Sequence, residues 1–416
     1  MESHAFIVLL GFLLIVAFGA EQAFRWVRVP PVLVLMGCGL VVGPLFGLLP
    51  AADFLAVAPH FGAVAFLLIL FEGGLDLDLD RVLKALGTAL RLALVSFGGA
   101  ALTVFPLALA GLGWPWRDAL VLAIVLAPVS GAILIPLLGR LTLGASLRPV
   151  LILEAALADV LGVLALSLAG QIIDVGGIRT LVAFGTLLAA AASVLAGLAA
   201  GWLWPRAMRS LGEHSYVDVL TFGVALTLWG GVSLLGASGA LAVFTFGFAL
   251  ANLDELKRFL GRSETLGPTE YDTAALHSFV SQMNFLMRAF FFVFIGVVVQ
   301  VGALSRATLI FGAVASALFL FTRWAAIVRV RSRWKGDLPT VPLPLLVLLQ
   351  PRGLVTAVLA IEAAHLGLPH GEAVLPIASV VILVTNVAMG VGLVVWGGGA
   401  LGSAPTPAAG PAPESV

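Results

Sequence analysis

The chain has 416 residues, of which 61% are hydrophobic and only 11% are charged, and its mean hydropathy is +1.13. Soluble globular domains do not have this composition, so we expect an integral membrane protein. The formal net charge of zero argues against a nucleic-acid partner, and a single cysteine, Cys38, excludes a disulfide scaffold.

Apolar runs follow one another along nearly the whole chain. A transmembrane helix needs roughly 20 such residues, and these runs lack the polar alternation of a membrane β-strand. The sequence therefore predicts an all-α polytopic membrane protein with about thirteen transmembrane helices. We expect these helices near residues 5–24, 31–49, 60–76, 85–111, 118–138, 150–170, 180–204, 216–233, 238–252, 282–300, 305–328, 342–366 and 371–398.

Lysine and arginine are distributed unevenly between the predicted loops. With the N-terminus outside, the outer loops hold only Arg117, Arg179 and Arg306. The inner loops hold Arg25, Arg28, Arg81, Lys84, Arg91, Arg140, Arg148, Arg206, Arg209, Lys257, Arg258, Arg262, Arg329, Arg331, Arg333 and Lys335. The positive-inside rule then predicts an outer N-terminus and a cytoplasmic C-terminus, and we expect a bacterial inner membrane.

Two predicted helices are interrupted in the middle. The fifth contains Ala127-Pro128, and the twelfth contains Pro351-Arg352-Gly353. Proline removes a backbone donor and disrupts the preceding turn, so each interruption frees polar backbone groups that lipid cannot satisfy. The two helices are seven positions apart along the chain, and an odd number of positions gives them opposite directions across the membrane. This arrangement favours an inverted-topology repeat with two crossing discontinuous helices over two ordinary proline kinks.

Several charged residues fall inside the apolar segments. Glu154 and Asp159 lie on the sixth predicted helix, and their spacing places them about 140° apart around its axis. They are therefore expected to face different neighbours. Arg323 and Arg352 are the candidate partners for the carboxylate that does not face an ion pathway. Glu72 is a third candidate, nearer the inner end of its helix, where a vestibule or helix-terminal role is equally open.

Several short motifs, in this order and spacing, resemble those of the monovalent cation:proton antiporters, specifically the sodium/proton exchanger branch. They are LFEGGL at 70–75, the Pro128 interruption, EAALAD at 154–159, SGALA at 238–242, FFVFIG at 291–296 and PRG at 351–353. The resemblance covers roughly residues 5–398. It implies a secondary transporter that exchanges sodium or potassium for protons by elevator-type alternating access, not an enzyme, with no cofactor.

The resemblance also implies an organisation for the chain. We expect one transmembrane transporter domain over residues 1–402, with core helices near 85–170 and 305–398 and dimerisation helices near 5–76 and 216–300. Two such protomers would form a homodimer in the lipid bilayer. The Pro, Ala and Gly content of residues 403–416 predicts a disordered C-terminal tail.

By position, the resemblance gives Asp159 the role of the carboxylate that binds cation and proton in turn. Glu154 matches a glutamate that pairs with an arginine, here Arg323, and Arg352 matches the arginine at the second break. Glu72 matches a glutamate near the cytoplasmic approach to the site. The expected monovalent-cation ligand is therefore Asp159.

The chain departs from the family pattern at two places. Leu126-Ala127-Pro128 stands where the family usually reads Thr-Asp-Pro, and Ala158-Asp159 stands where it reads Asn-Asp. Further oxygen ligands would then come from freed carbonyls, water, Ser130, Thr356 or Glu72. Electrogenic relatives carry a second Asp before the first and often a Lys on the partner helix. Ala158 and Arg323 occupy those positions, so we predict electroneutral exchange.

Three other functions are weighed against this one. Gly236-Ala237-Ser238-Gly239 matches the Gly-x-Ser-Gly of intramembrane serine proteases, but no histidine falls at mid-membrane depth to activate Ser238. A proton- or sodium-coupled carrier of an organic solute could hold a substrate carboxylate at Arg352. The absent oxygen ligands also admit a non-transporting descendant.

Overall fold

We analysed a computed structural model of the chain, which describes residues 3–27, 29–47, 51–139, 141, 143, 147–175, 180–211, 216–259, 273–298, 305–331 and 341–397. The regular elements of these residues are two short π-helical segments, Val41–Leu45 and Ala108–Leu112, and sixteen α-helices. The α-helices are α1 Ser3–Val27, α2 Pro31–Leu40, α3 Ala51–Leu75, α4 Leu79–Leu107, α5 Trp116–Leu126, α6 Gly131–Leu138, α7 Leu147–Val175, α8 Thr180–Leu211, α9 Val217–Leu234, α10 Gly239–Ala251, α11 Leu253–Phe259, α12 Thr273–Val298, α13 Arg306–Arg331, α14 Leu343–Leu348, α15 Leu354–Ala364 and α16 Gly371–Trp396.

The helices match the predicted segments in chain order. Eight stretches are long and apolar enough to cross a membrane, and five shorter apolar helices fall in the other predicted segments. Two helix starts differ most from expectation. Helix α3 begins at residue 51 and α12 at residue 273, whereas starts near residues 60 and 282 were expected. The predicted tail, 403–416, lies outside the described residues.

The two predicted interruptions are breaks in the helices, and they meet. Between α5 and α6, residues 127–130 are not helical, and residues 349–353 separate α14 from α15. The Ser130 N–H donates a hydrogen bond of 2.8 Å to the carbonyl of Pro351. A Cβ added to Gly353 would lie 2.6 Å from the Ser130 hydroxyl, so only glycine permits this approach. The crossing of two discontinuous helices is therefore confirmed.

The helices pack as two groups. The core group consists of α4–α7 and α13–α16, and the scaffold group consists of α1–α3 and α8–α12. Scaffold helices approach one another through glycines: a Cβ at Gly74 or Gly197 would overlap the backbone of α10, and one at Gly296 would overlap α2. At the boundary between the groups, a Cβ at Gly62 would meet the side chain of Val358 and no backbone atom. The backbones of neighbouring helices therefore lie closer together within the scaffold group than at this boundary contact.

Candidate functional site

Asp159 lies on α7 directly against the first break. Its side chain is 1% exposed, and Oδ2 accepts a hydrogen bond of 3.3 Å from the backbone N–H of Gly131, the first residue of α6. A Cβ at Gly131 would be 3.0 Å from Oδ2, which explains the small residue there. Oδ1 is buried and has no hydrogen-bond partner among the described residues. One carboxylate oxygen is held by the fold, and the other is available to a ligand.

Pro128 fixes the first break against the same helix. A Cβ at Gly162 of α7 would lie 2.6 Å from the Pro128 ring, so α7 accommodates the proline where it carries no side chain. Ala127 is buried just before it. These contacts place the start of α6, and its free N–H groups, beside Asp159.

Glu154 and Arg323 of α13 form a fully buried ion pair. Both Arg323 terminal nitrogens donate to the Glu154 carboxylate, with an Nη2 to Oε2 distance of 2.9 Å. The Ser96 hydroxyl accepts a further hydrogen bond of 3.1 Å from Arg323 Nη1. The bidentate geometry fits a carboxylate and a guanidinium that stabilise one another in a low-dielectric interior.

Arg352 is held at the second break by α16. Its backbone N–H donates to the Thr385 hydroxyl at 3.1 Å, and its carbonyl accepts from the Asn386 amide at 2.8 Å. The guanidinium lies 4.5 Å from the ring centre of Phe319. Its Nε and Nη1 are buried without a hydrogen-bond partner among the described residues. Arg352 lies between Pro351 and Gly353, the two residues that approach Ser130 at the crossing.

Thr385 and Asn386 are site residues that the sequence analysis missed. They form a polar pair inside the apolar span 371–396, and that interruption was the available signal. Their partners are backbone groups more than thirty residues away, which no local pattern indicates.

Two candidate hydroxyl ligands lie on the elements that cross. Ser130 is in the first break, and Thr356 is in the first turn of α15. Each side chain is 1% exposed, and neither hydroxyl has a hydrogen-bond partner among the described residues. Together with Asp159 Oδ1, they are buried oxygens without a partner among the described residues, and they belong to elements that form or adjoin the two breaks.

Glu72 has different surroundings. Its carboxylate is half-buried on α3 and accepts a hydrogen bond from the side-chain amide of Asn284 on α12. The same amide group donates to the carbonyl of Leu68 at 3.2 Å. The structure therefore pairs Glu72 with the scaffold group and not with Asp159.

The Gly-x-Ser-Gly motif has a structural role. The Ser238 hydroxyl accepts from the Leu241 N–H at 3.3 Å and caps α10, while its own N–H donates to Ser193. Among the described residues, there is no group of three His, Cys, Asp or Glu side chains that could hold a metal ion. A single buried carboxylate with neighbouring hydroxyls suits a monovalent cation or a proton.

Comparisons with known proteins identify the family of the chain and agree with its fold. A family model described as "Sodium/hydrogen exchanger, transmembrane" matches residues 10–396. The structure of the sodium proton antiporter MjNhaP1 from Methanocaldococcus jannaschii at pH 8 superposes with a TM-score of 0.76 at 20% identity, covering 94% of this chain and 100% of that one. An electron-microscopy map of the same antiporter gives a TM-score of 0.72 at 20% identity, covering 95% of each chain. None of the curated proteins matches.

Proposed function

Because the chain belongs to the sodium/hydrogen exchanger family, we propose that it exchanges a monovalent cation, sodium or potassium, for protons, with Asp159 as the shared binding group. The observation that carries the proposal is the half-satisfied carboxylate. Asp159 is buried at the crossing, one oxygen is held by Gly131, and the other has no described partner. A buried ionised carboxylate needs a cation or a proton, and each excludes the other.

The cation would be coordinated by oxygens from both crossing helices. Asp159 Oδ1 and the hydroxyls of Ser130 and Thr356 are three of the buried side-chain oxygens that have no partner among the described residues. Backbone carbonyls at the breaks and water complete the shell. Glu72 acts on the approach to the site, since Asn284 holds it on the scaffold group.

Competition for one carboxylate makes the exchange electroneutral. Asp159 crosses either protonated or with a cation bound, and both forms carry the same charge. Arg323 is paired with Glu154 and stands where electrogenic relatives often carry a lysine, so the cycle depends on Asp159 alone. The Glu154–Arg323 pair holds α7 against α13 and has a structural role.

The division into two helix groups supports an elevator-type movement. Asp159 and both breaks belong to the core group, whereas Glu72 belongs to the scaffold group. Alternating access follows when the core group slides past the scaffold. The scaffold helices would also form the homodimer interface, in a bacterial inner membrane with the N-terminus outside and the C-terminus inside.

The test uses purified protein in sealed vesicles that contain a pH-sensitive dye. We expect pulses of sodium, potassium or lithium to move protons, and we expect Asp159→Asn to abolish that movement. Asp118→Asn is the matched control, because Asp118 is 2% exposed but bonds the backbone of His370 at the other end of α5. Equal rates at clamped potentials of either sign would support electroneutrality. A current that scales with the cation gradient would refute it.

Two guanidinium nitrogens of Arg352 are buried without a hydrogen-bond partner among the described residues, and they favour a second candidate, coupled transport of an organic anion. These atoms, Nε and Nη1, could bind a substrate carboxylate. Uptake of radiolabelled dicarboxylates and amino acids into the same vesicles separates the two functions. Proton movement driven by inorganic cations alone, without solute, would exclude this candidate.

A further inference from the structure

Helix α6 contains a proline that leaves one of its own carbonyls without the usual donor. In an α-helix the carbonyl of residue 132 accepts from the N–H of residue 136, and Pro136 has no N–H. Ala132 is 3% exposed, so this carbonyl cannot obtain a donor from bulk water. A buried carbonyl of this kind needs another partner.

The partner comes from the other helix group. Arg288 of α12 donates from Nη1 to the Ala132 carbonyl at 3.2 Å. Helix α12 belongs to the scaffold group and α6 to the core group, so this hydrogen bond crosses the boundary between them. The contact also lies one residue from Gly131, whose N–H donates to Asp159.

The space beside this hydrogen bond is open. A cavity of about 80 Å³ is lined by Ala132, Pro136 and Arg288, with Glu21 of α1 on its wall. Arg288 is therefore half-buried at a cavity rather than enclosed by packed side chains. Such a side chain can release its acceptor without displacing a packed neighbour.

We propose that Arg288 is a positioning residue, whose hydrogen bond to the carbonyl that Pro136 leaves free holds α6 and the Asp159 site against the scaffold in the conformation described here. The proposal rests on the proposed alternating access, because α6 must leave Arg288 when the core group slides. In the other conformation the Ala132 carbonyl loses its donor. The pair of Pro136 and Arg288 thus biases the equilibrium between the two conformations.

The test measures that equilibrium directly. Spin labels at the exposed positions 84 on α4 and 278 on α12, in a Cys38→Ala background, report the distance between core and scaffold in full-length protein in lipid nanodiscs. We expect Arg288→Met to shift the ratio of the two populations by about tenfold away from the described conformation, since a hydrogen bond to a charged donor is lost. Arg206→Met is the matched control, because Arg206 bonds a carbonyl of its own helix.

Pro136→Ala separates this role from general damage. It restores an N–H at residue 136, so the Ala132 carbonyl can bond within α6. We expect Arg288→Met to have little effect in the Pro136→Ala background. An equal shift in both backgrounds, or no shift in either, would overturn the proposal. The distances are read without turnover, so they test this inference even if proton exchange is absent.

Discussion

Glu154 and Asp159 lie five residues apart on α7, and both are withdrawn from solvent, yet their surroundings differ. Glu154 has both oxygens bonded by Arg323, whereas Asp159 has one oxygen bonded by Gly131 and the other without a described partner. The comparison suggests a rule for this molecule. A buried polar group whose bonds are complete stabilises the fold, and one whose bonds are incomplete serves the ligand.

The largest expected effect is on transport and comes from Asp159, whose carboxylate has one oxygen without a described partner. We predict that Asp159→Asn reduces cation-dependent proton movement to that of protein-free vesicles. Asparagine keeps the size of the side chain and can still accept from Gly131, so the melting temperature in detergent should change little. If Asp159→Asn lowers the melting temperature strongly as well as abolishing transport, the contrast between Asp159 and Glu154 fails.

Glu154, whose carboxylate oxygens both accept hydrogen bonds, should show the opposite pattern, a loss of stability. We predict that Glu154→Gln lowers the free energy of unfolding by about 3–5 kcal/mol, because Arg323 becomes a buried charge without its carboxylate. Denaturation in detergent measures this loss. The double variant Glu154→Leu with Arg323→Met removes both charges and should be more stable than the single variant. Equal stabilities of the single and double variants would show that the unpaired Arg323 charge is not the cause of the loss.

A smaller effect is expected where the two breaks meet. We predict that Gly353→Ala costs about 1–3 kcal/mol and slows exchange, because the added Cβ would press on the Ser130 hydroxyl and separate the crossing helices. Gly98→Ala is the control, since nothing lies within 4 Å of its added Cβ. Unchanged exchange in Gly353→Ala would mean that the close approach is not needed for the site.

The smallest effects compare hydroxyl groups. We predict that Ser130→Ala and Thr356→Ala each weaken the apparent cation affinity about fivefold with no loss of stability. Ser316→Ala should leave the apparent cation affinity unchanged and lower the free energy of unfolding by about 1 kcal/mol. The reason is that the Ser316 hydroxyl already donates a hydrogen bond of 2.7 Å to the Gly312 carbonyl. Two measurements on all three variants test this prediction. The dependence of the exchange rate on cation concentration gives the apparent affinity, and thermal unfolding gives the stability.

The sequence was sufficient wherever one residue type has one strong physical consequence. Pro128 and Pro351 predicted both breaks, and the odd spacing of their helices predicted the crossing that the bond between Ser130 and Pro351 now shows. The candidate residues Asp159, Glu154 and Arg323 could be chosen because charges are costly in hydrocarbon.

The remaining features depend on distances between distant segments. Asn284 as the partner of Glu72, and Arg288 as the donor to Ala132, are contacts between segments more than 150 residues apart in sequence. Helix α12 was predicted to begin too late because its first turns carry polar residues such as His277 and Ser278, which a hydropathy pattern assigns to a loop. A sequence pattern read over a few residues does not predict that such polar turns are helical.

The hydrogen bond between Ser130 and Pro351 also constrains how the protein is made. The two residues belong to opposite halves of the chain, so the Ser130 amide has no such acceptor until synthesis reaches residue 351. At ordinary rates of translation the first half waits roughly 10–45 s in the bilayer with its break unmatched. We therefore expect a chain truncated before α14 to be degraded faster than the full chain in a pulse-chase experiment. The ion site is assembled only in the last steps of biogenesis, and quality-control proteases can recognise its absence.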